Sequence, residues 1–95
     1  MPDLRAELTA NLDEAEWEWL IPHLQRDAVI LVALELDLLD VGVAIAGDNT
    51  TSVGRWIEEN LLTKPSTAQI STWNASPNKR FSALIVEPYV IVQEI

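Results

Sequence analysis

The fifteen residues from Phe81 to Ile95, FSALIVEPYVIVQEI, constrain the fold more than any other stretch of this chain. They favour β structure and are apolar at nearly every position rather than every second one, which is the pattern of a strand covered on both faces. The one interruption is Glu87-Pro88. A two-residue primed hairpin turn needs positive φ, which proline cannot adopt, so the run is expected to form one long strand, Phe81–Glu94. That strand should bend or bulge at Pro88, with the proline on an edge where its missing N–H is harmless. Only one other segment, Ala28 to Leu34 (AVILVAL), has the same character. The expected fold class is therefore α+β: a single small domain spanning residues 1–95, with about five short helices packed on a small sheet formed by Ala28–Leu34 and the bent C-terminal strand. Two strands alone make a marginal sheet.

The helices are read from periodicity and caps. Leu4, Leu8 and Leu12 recur every fourth residue behind Asp3, an acceptable N-cap, which predicts a helix over Asp3–Asn11. Asp13–Arg26 starts acidic and carries Trp17, Leu20, Ile21 and Leu24 on one face, so it reads as a second helix, kinked or restarted at Pro22. Asp37 caps a third, with Leu38, Val41, Ala44 and Ile45 as its stripe and Gly47 as its stop. Asp48 to Thr50 offers the next cap, and Val53, Trp56, Ile57 and Leu61 the next stripe, ended by Lys64-Pro65. Ser66-Thr67-Ala68-Gln69 spells a capping box for a last helix that closes before Pro77.

Charge narrows the function classes. Fifteen Asp and Glu stand against six Lys and Arg, for a net charge of -9, so the average surface repels phosphate backbones and anionic lipid. No apolar run approaches the roughly 20 residues of a membrane span, and the N-terminus lacks the basic and apolar regions of a signal peptide, so a soluble, cytoplasmic protein is expected. The chain has no cysteine, which excludes internal disulfides and thiolate chemistry. Asn49-Thr50-Thr51 and Asn74-Ala75-Ser76 match the glycosylation pattern only by spelling.

No group of side chains adds up to a reaction. His23 is the sole histidine, and its only sequence-near carboxylates are Glu16 and Glu18, whose spacing across Pro22 is undefined; it reads as an ordinary boundary residue. Glu35, Asp37 and Asp40 are a strand exit and a helix cap rather than a metal set, and three isolated glycines make no nucleotide loop. No catalytic residue, metal or cofactor is assigned, and no small-molecule ligand is inferred. Trp17 and Trp19 are two residues apart, so on a helix their rings point about 200° apart and cannot share one core. Trp17 belongs inside; Trp19 is then partly exposed, either against a neighbouring element or as an interface anchor.

Two functional expectations follow from the residues. In the first, the protein is a non-enzymatic interaction module, most simply a homodimer or else bound to another protein, that associates through an unpaired C-terminal edge strand, with Trp19, Tyr89, Val90 and Val92 at or near the contact. The alternative uses Asp40–Leu61 as a helix-turn-helix reader of DNA, with Thr50, Thr51 and Arg55 as contacts. Arg55 is the one cation there and is followed by Glu58 and Glu59, which weighs against nucleic acid.

The ordered set Trp17-x-x-Leu20-x-Pro22, Arg26 before a β-like run, Leu36-Asp37-Leu38 leading to Val41 and Ala44, then Asp48, Trp56, Trp73 and Pro88-Tyr89-Val90-x-Val92-Gln93-Glu94 resembles the bacterial family called Domain of Unknown Function 2288. The resemblance covers almost the whole chain and implies a compact bacterial protein. It brings no activity, ligand or catalytic residue.

Overall fold

Capping chemistry sets the helix ends, and strand pairing sets the rest. The computed structural model describes residues 4–95. In chain order these form α1 (Leu4–Asn11), β1 (Asp13–Glu16), α2 (Trp17–Gln25), β2 (Val29–Val32), α3 (Leu38–Ala46), α4 (Thr50–Glu58), β3 (Leu62–Thr63), α5 (Thr67–Asn74), β4 (Arg80–Val86) and β5 (Tyr89–Glu94). The fold class is α+β, as the sequence implied. The Asp3 cap lies outside the described residues.

Three caps form as read. Asp37 accepts from the Leu39 amide, Asn49 from the Ser52 amide, and Ser66 and Gln69 close a reciprocal capping box. The C-terminal ends of α2, α3 and α4 share one solution. In each, a left-handed residue follows the C-cap: Asp27, Asp48 and Asn60, with φ of 58°, 56° and 60°. Paired backbone bonds then close the end, as where Ala28 N–H donates to the His23 carbonyl at 3.0 Å and Asp27 N–H to Leu24 at 2.9 Å. Gly47 therefore does mark the end of α3, but as its C-cap at φ -91°; Asp48 takes the left-handed step.

The sheet corrects several expectations. Its five strands run in the order β1-β4-β5-β2-β3, where two strands were expected. The C-terminal run is a hairpin, not one bent strand: β4 and β5 pair antiparallel from Phe81 with Glu94 to Val86 with Tyr89. Glu87-Pro88 is a cis peptide and forms the two-residue connection. Excluding primed turns did not exclude this one, because a turn built on a cis proline belongs to a different class. Asp13–Glu16 is strand rather than the first turn of α2, paired antiparallel with β4 from Asp13 opposite Ala83 to Glu16 opposite Arg80. Pro22 lies inside α2, which begins only at Trp17. Helix α4 stops at Glu58, well before Lys64-Pro65, and Leu62–Thr63 pairs with β2.

The C-terminal strand is also not at an edge. β5 lies between β4 and β2, antiparallel to the first and parallel to the second, so both of its backbone sides are engaged within the chain. Val90 and Val92 are buried accordingly. The edge strands are β1 and β3. Trp17 N–H bonds the Lys79 carbonyl at 2.8 Å and continues the β1–β4 ladder, which by the antiparallel alternation turns the Glu14 amide outward. The Asp13 carboxylate accepts that amide at 2.8 Å and so closes the edge there. β3 has two residues and is followed by Lys64-Pro65. Charge, brevity and proline are common devices for keeping sheet edges from pairing with other chains.

Helices cover both faces of the sheet. On one face Leu84, Val86 and Ile91 pack with Leu8 of α1, Leu38 and Val41 of α3, and Val53 and Trp56 of α4. On the other, Phe81, Ala83, Val90 and Val92 pack with Trp17 and Leu20 of α2 and Trp73 of α5. Trp17, Trp73 and Phe81 form an aromatic group with centroids 5.0–6.0 Å apart. The Trp17 indole N–H donates to Asn74 Oδ1 at 2.8 Å, so the buried ring leaves no donor unsatisfied.

Candidate functional site

Around the turn end of the β4–β5 hairpin the sheet is incompletely covered, and apolar side chains there remain in water. Trp19 is 47% exposed, Ile85 42%, Tyr89 40% and Ile57 55%. These four residues are distributed over three adjoining surface grooves around the turn end of the β4–β5 hairpin.

The first groove lies on the α3/α4 side, between those helices and the sheet, with a volume of about 610 Å³. Ile30, Leu62 and Tyr89 contribute from the strands, and Val53, Gly54 and Ile57 from α4. Its charged lining residues are Asp48 and Lys64, one of each sign, and Lys64 is ion-paired with Asp27. Gly54 stands in the interior of α4, where glycine costs about 1 kcal/mol relative to alanine. A Cβ added there would meet nothing within 4 Å, so no contact in this chain calls for glycine.

The second groove lies on the opposite face, beside β1. Trp19, Ala83 and Ile85 give it apolar surface, with Asp13 and Glu18 beside them; Glu14 and Glu16 also border it, but opposite Ser82 and Arg80 in register their side chains alternate toward the other face of the sheet. Trp19 packs beside the His23 ring, centroid to centroid 4.8 Å. The third groove links the other two at the hairpin end, sharing Ile85 with the second and Tyr89 with the first, and includes His23 and Pro88.

Of the residues singled out in the sequence, Trp19 and Tyr89 lie in these grooves, while Val90 and Val92 are in the core and do not form a contact surface. Thr50, Thr51 and Arg55 are exposed on α4, and the neighbouring charges are the exposed Asp48, Glu58 and Glu59. The helix pair α3–α4 is present, but Val53 and Trp56 of α4 pack against the core. His23 contacts Trp19 and forms no ion pair with a carboxylate among the described residues. No group of three or more His, Asp or Glu that could hold a metal occurs there either, and no helix among them is long and apolar enough to cross a membrane. Sequence reading missed Ile57, Ile85 and Gly54 as surface features. For Gly54 a signal was present, a glycine inside a helical stripe; for Ile85 none was, since its side of the sheet depends on register.

The structure resembles the NMR solution structure of PA1075 from Pseudomonas aeruginosa, with a TM-score of 0.81 and 30% sequence identity over 96% of this chain and 83% of that one. No curated protein matches the sequence. The sequence matches the family described as "Protein of unknown function (DUF2288)" over residues 3–94. That match spans nearly the whole chain, and the chain belongs to the DUF2288 family.

Proposed function

We propose that the protein is a non-enzymatic interaction module that self-associates as a two-fold dimer through the groove between α4 and the sheet. The observation that carries this reading is Gly54, a helix-interior glycine on the groove wall that nothing within the chain requires. Glycine at such a place lets another backbone or side chain approach closely. The second copy is favoured over other occupants by charge and shape. Each chain carries -9, yet the groove lining is mostly apolar, with Lys64 already paired to Asp27 and Asp48 its one unpaired charge among the described residues, so two copies meet here with less repulsion than elsewhere on the surface. The same patch offers a protruding side chain, Ile57, and a concavity beside it, which a two-fold axis can fit to one another. Tyr89 keeps the C-terminal strand in the contact by its side chain, without any edge pairing.

Light scattering coupled to size exclusion at high micromolar concentration tests the proposal. The expected mass is twice the 10.6 kDa of the chain, falling to 10.6 kDa in Ile57→Glu with an unchanged circular dichroism spectrum. A wild-type monomer under those conditions, or a dimer indifferent to Ile57→Glu, overturns it.

A further inference from the structure

We infer that the groove beside Trp19, on the face opposite the proposed dimer contact, binds a cationic segment of another protein in which Arg or Lys flanks an aliphatic side chain. Two exposed apolar residues define the place. Trp19 of α2 and Ile85 of β4 line one groove with Ala83, and no helix of this chain covers them fully. The Trp19 ring packs beside the His23 ring, centroids 4.8 Å apart. Tryptophan is enriched among interface anchors, and a cation is a suitable counterpart because the ring face attracts it.

The surrounding charges select the occupant. Asp13 and Glu18, on the groove side, have no ion-pair partner among the described residues; at the β1 edge Glu16 has none either, and Glu14 reaches only Arg80, at 3.9 Å. Asp13 is occupied by the Glu14 amide at 2.8 Å but keeps its charge. Phosphate backbones and anionic lipid are repelled by this arrangement, and a second copy would bring the same four acids against their equals. A basic segment meets both demands: its cations face Asp13, Glu18 and the Trp19 ring, and its apolar side chain covers Ala83 and Ile85. The β1 edge adds no strand pairing at Glu14, where the amide is already bonded, so recognition falls to side chains.

The probe is a fluorescein-labelled synthetic peptide of about twelve residues carrying a Leu pair flanked by Arg, with a control peptide in which every Arg is Glu, titrated by anisotropy against the intact chain. The Arg peptide is expected to bind saturably and the Glu peptide not at all. Trp19→Ala and Ile85→Ser are each expected to weaken binding at least about tenfold, the loss typical of truncating an interface anchor, with circular dichroism unchanged. Asp13→Asn with Glu18→Gln is expected to do the same, while Ile57→Glu leaves the affinity as it was, which separates this site from the dimer contact. Equal binding to wild type and Trp19→Ala would reduce the effect to diffuse attraction by an acidic protein and overturn the inference. So would no binding at all, or a change of oligomeric state caused by Trp19→Ala, which would make the occupant a second copy.

Discussion

Gly42 and Gly54 put the same residue type in opposite surroundings. Both lie inside helices, Gly42 in α3 and Gly54 in α4. A Cβ at Gly42 would stand 2.4 Å from Leu84 Cδ2, and Leu84 is fully buried in the sheet, so it has little room to withdraw. Gly42→Ala should therefore destabilise the fold by about 1–3 kcal/mol despite the better helix propensity of alanine. At Gly54 nothing opposes the new methyl group. In the Ile57→Glu background, which would remove the proposed self-association, Gly54→Ala should stabilise the monomer by about 1 kcal/mol. Urea denaturation of the two variants checks both signs, and a stabilising Gly42→Ala would contradict the packing described here. Gln93 illustrates a polar counterpart. Its amide donates to the Ala33 and Leu36 carbonyls at 3.0 and 2.6 Å, tying the loop after β2 to the central strand. Gln93→Leu leaves those carbonyls without that donor and should cost about 1–3 kcal/mol in the same measurement.

At the scale of the element, the helix ends and the sheet edges differ in how far local sequence encodes them. The three left-handed helix ends use Asp or Asn where glycine would adopt the conformation at no steric cost. Asp48→Gly should then leave α3 intact and raise stability by at most about 1 kcal/mol, since the relief is partly offset by a freer unfolded chain. A melting curve that falls by several degrees would show that Asp48 contributes something besides a backbone angle. The caps at Asp37, Asn49 and Ser66 were legible because donor and acceptor are two or three residues apart. Strands β1 and β3 were not. Asp13-Glu14-Ala15-Glu16 has the composition of a helix start and becomes a strand only because Phe81–Ala83 lies alongside it, a partner some 70 residues away. The hairpin was hidden for a related reason, as Glu87-Pro88 specifies neither peptide isomer by spelling. The candidate site was half legible: Trp19 followed from helical geometry, but Ile85 and Val90 come from equally apolar runs, and only register decides which of them meets water.

For the whole molecule, charge distribution separates the two proposed contacts. A net charge of -9 makes the proposed self-association sensitive to the medium, even through a mostly apolar groove. Raising ionic strength from about 0.02 M to about 0.3 M shortens the reach of that repulsion to a few ångström and should tighten the dimer. The same change should weaken a cationic peptide at the Trp19 groove, because attraction rather than repulsion is being screened. Sedimentation and peptide titration across one salt series should therefore move in opposite directions; parallel movement would mean that both signals arise from a single surface. The position of the sheet has a further result. It divides the indoles unequally, with Trp17 and Trp73 packed on the α2/α5 side and Trp56 against the α4 side. Intrinsic emission during unfolding will thus follow chiefly the loosening of one layer, while a variant retaining Trp56 alone would follow the other, so that the order in which the two halves of the interior admit water can be timed without any added label.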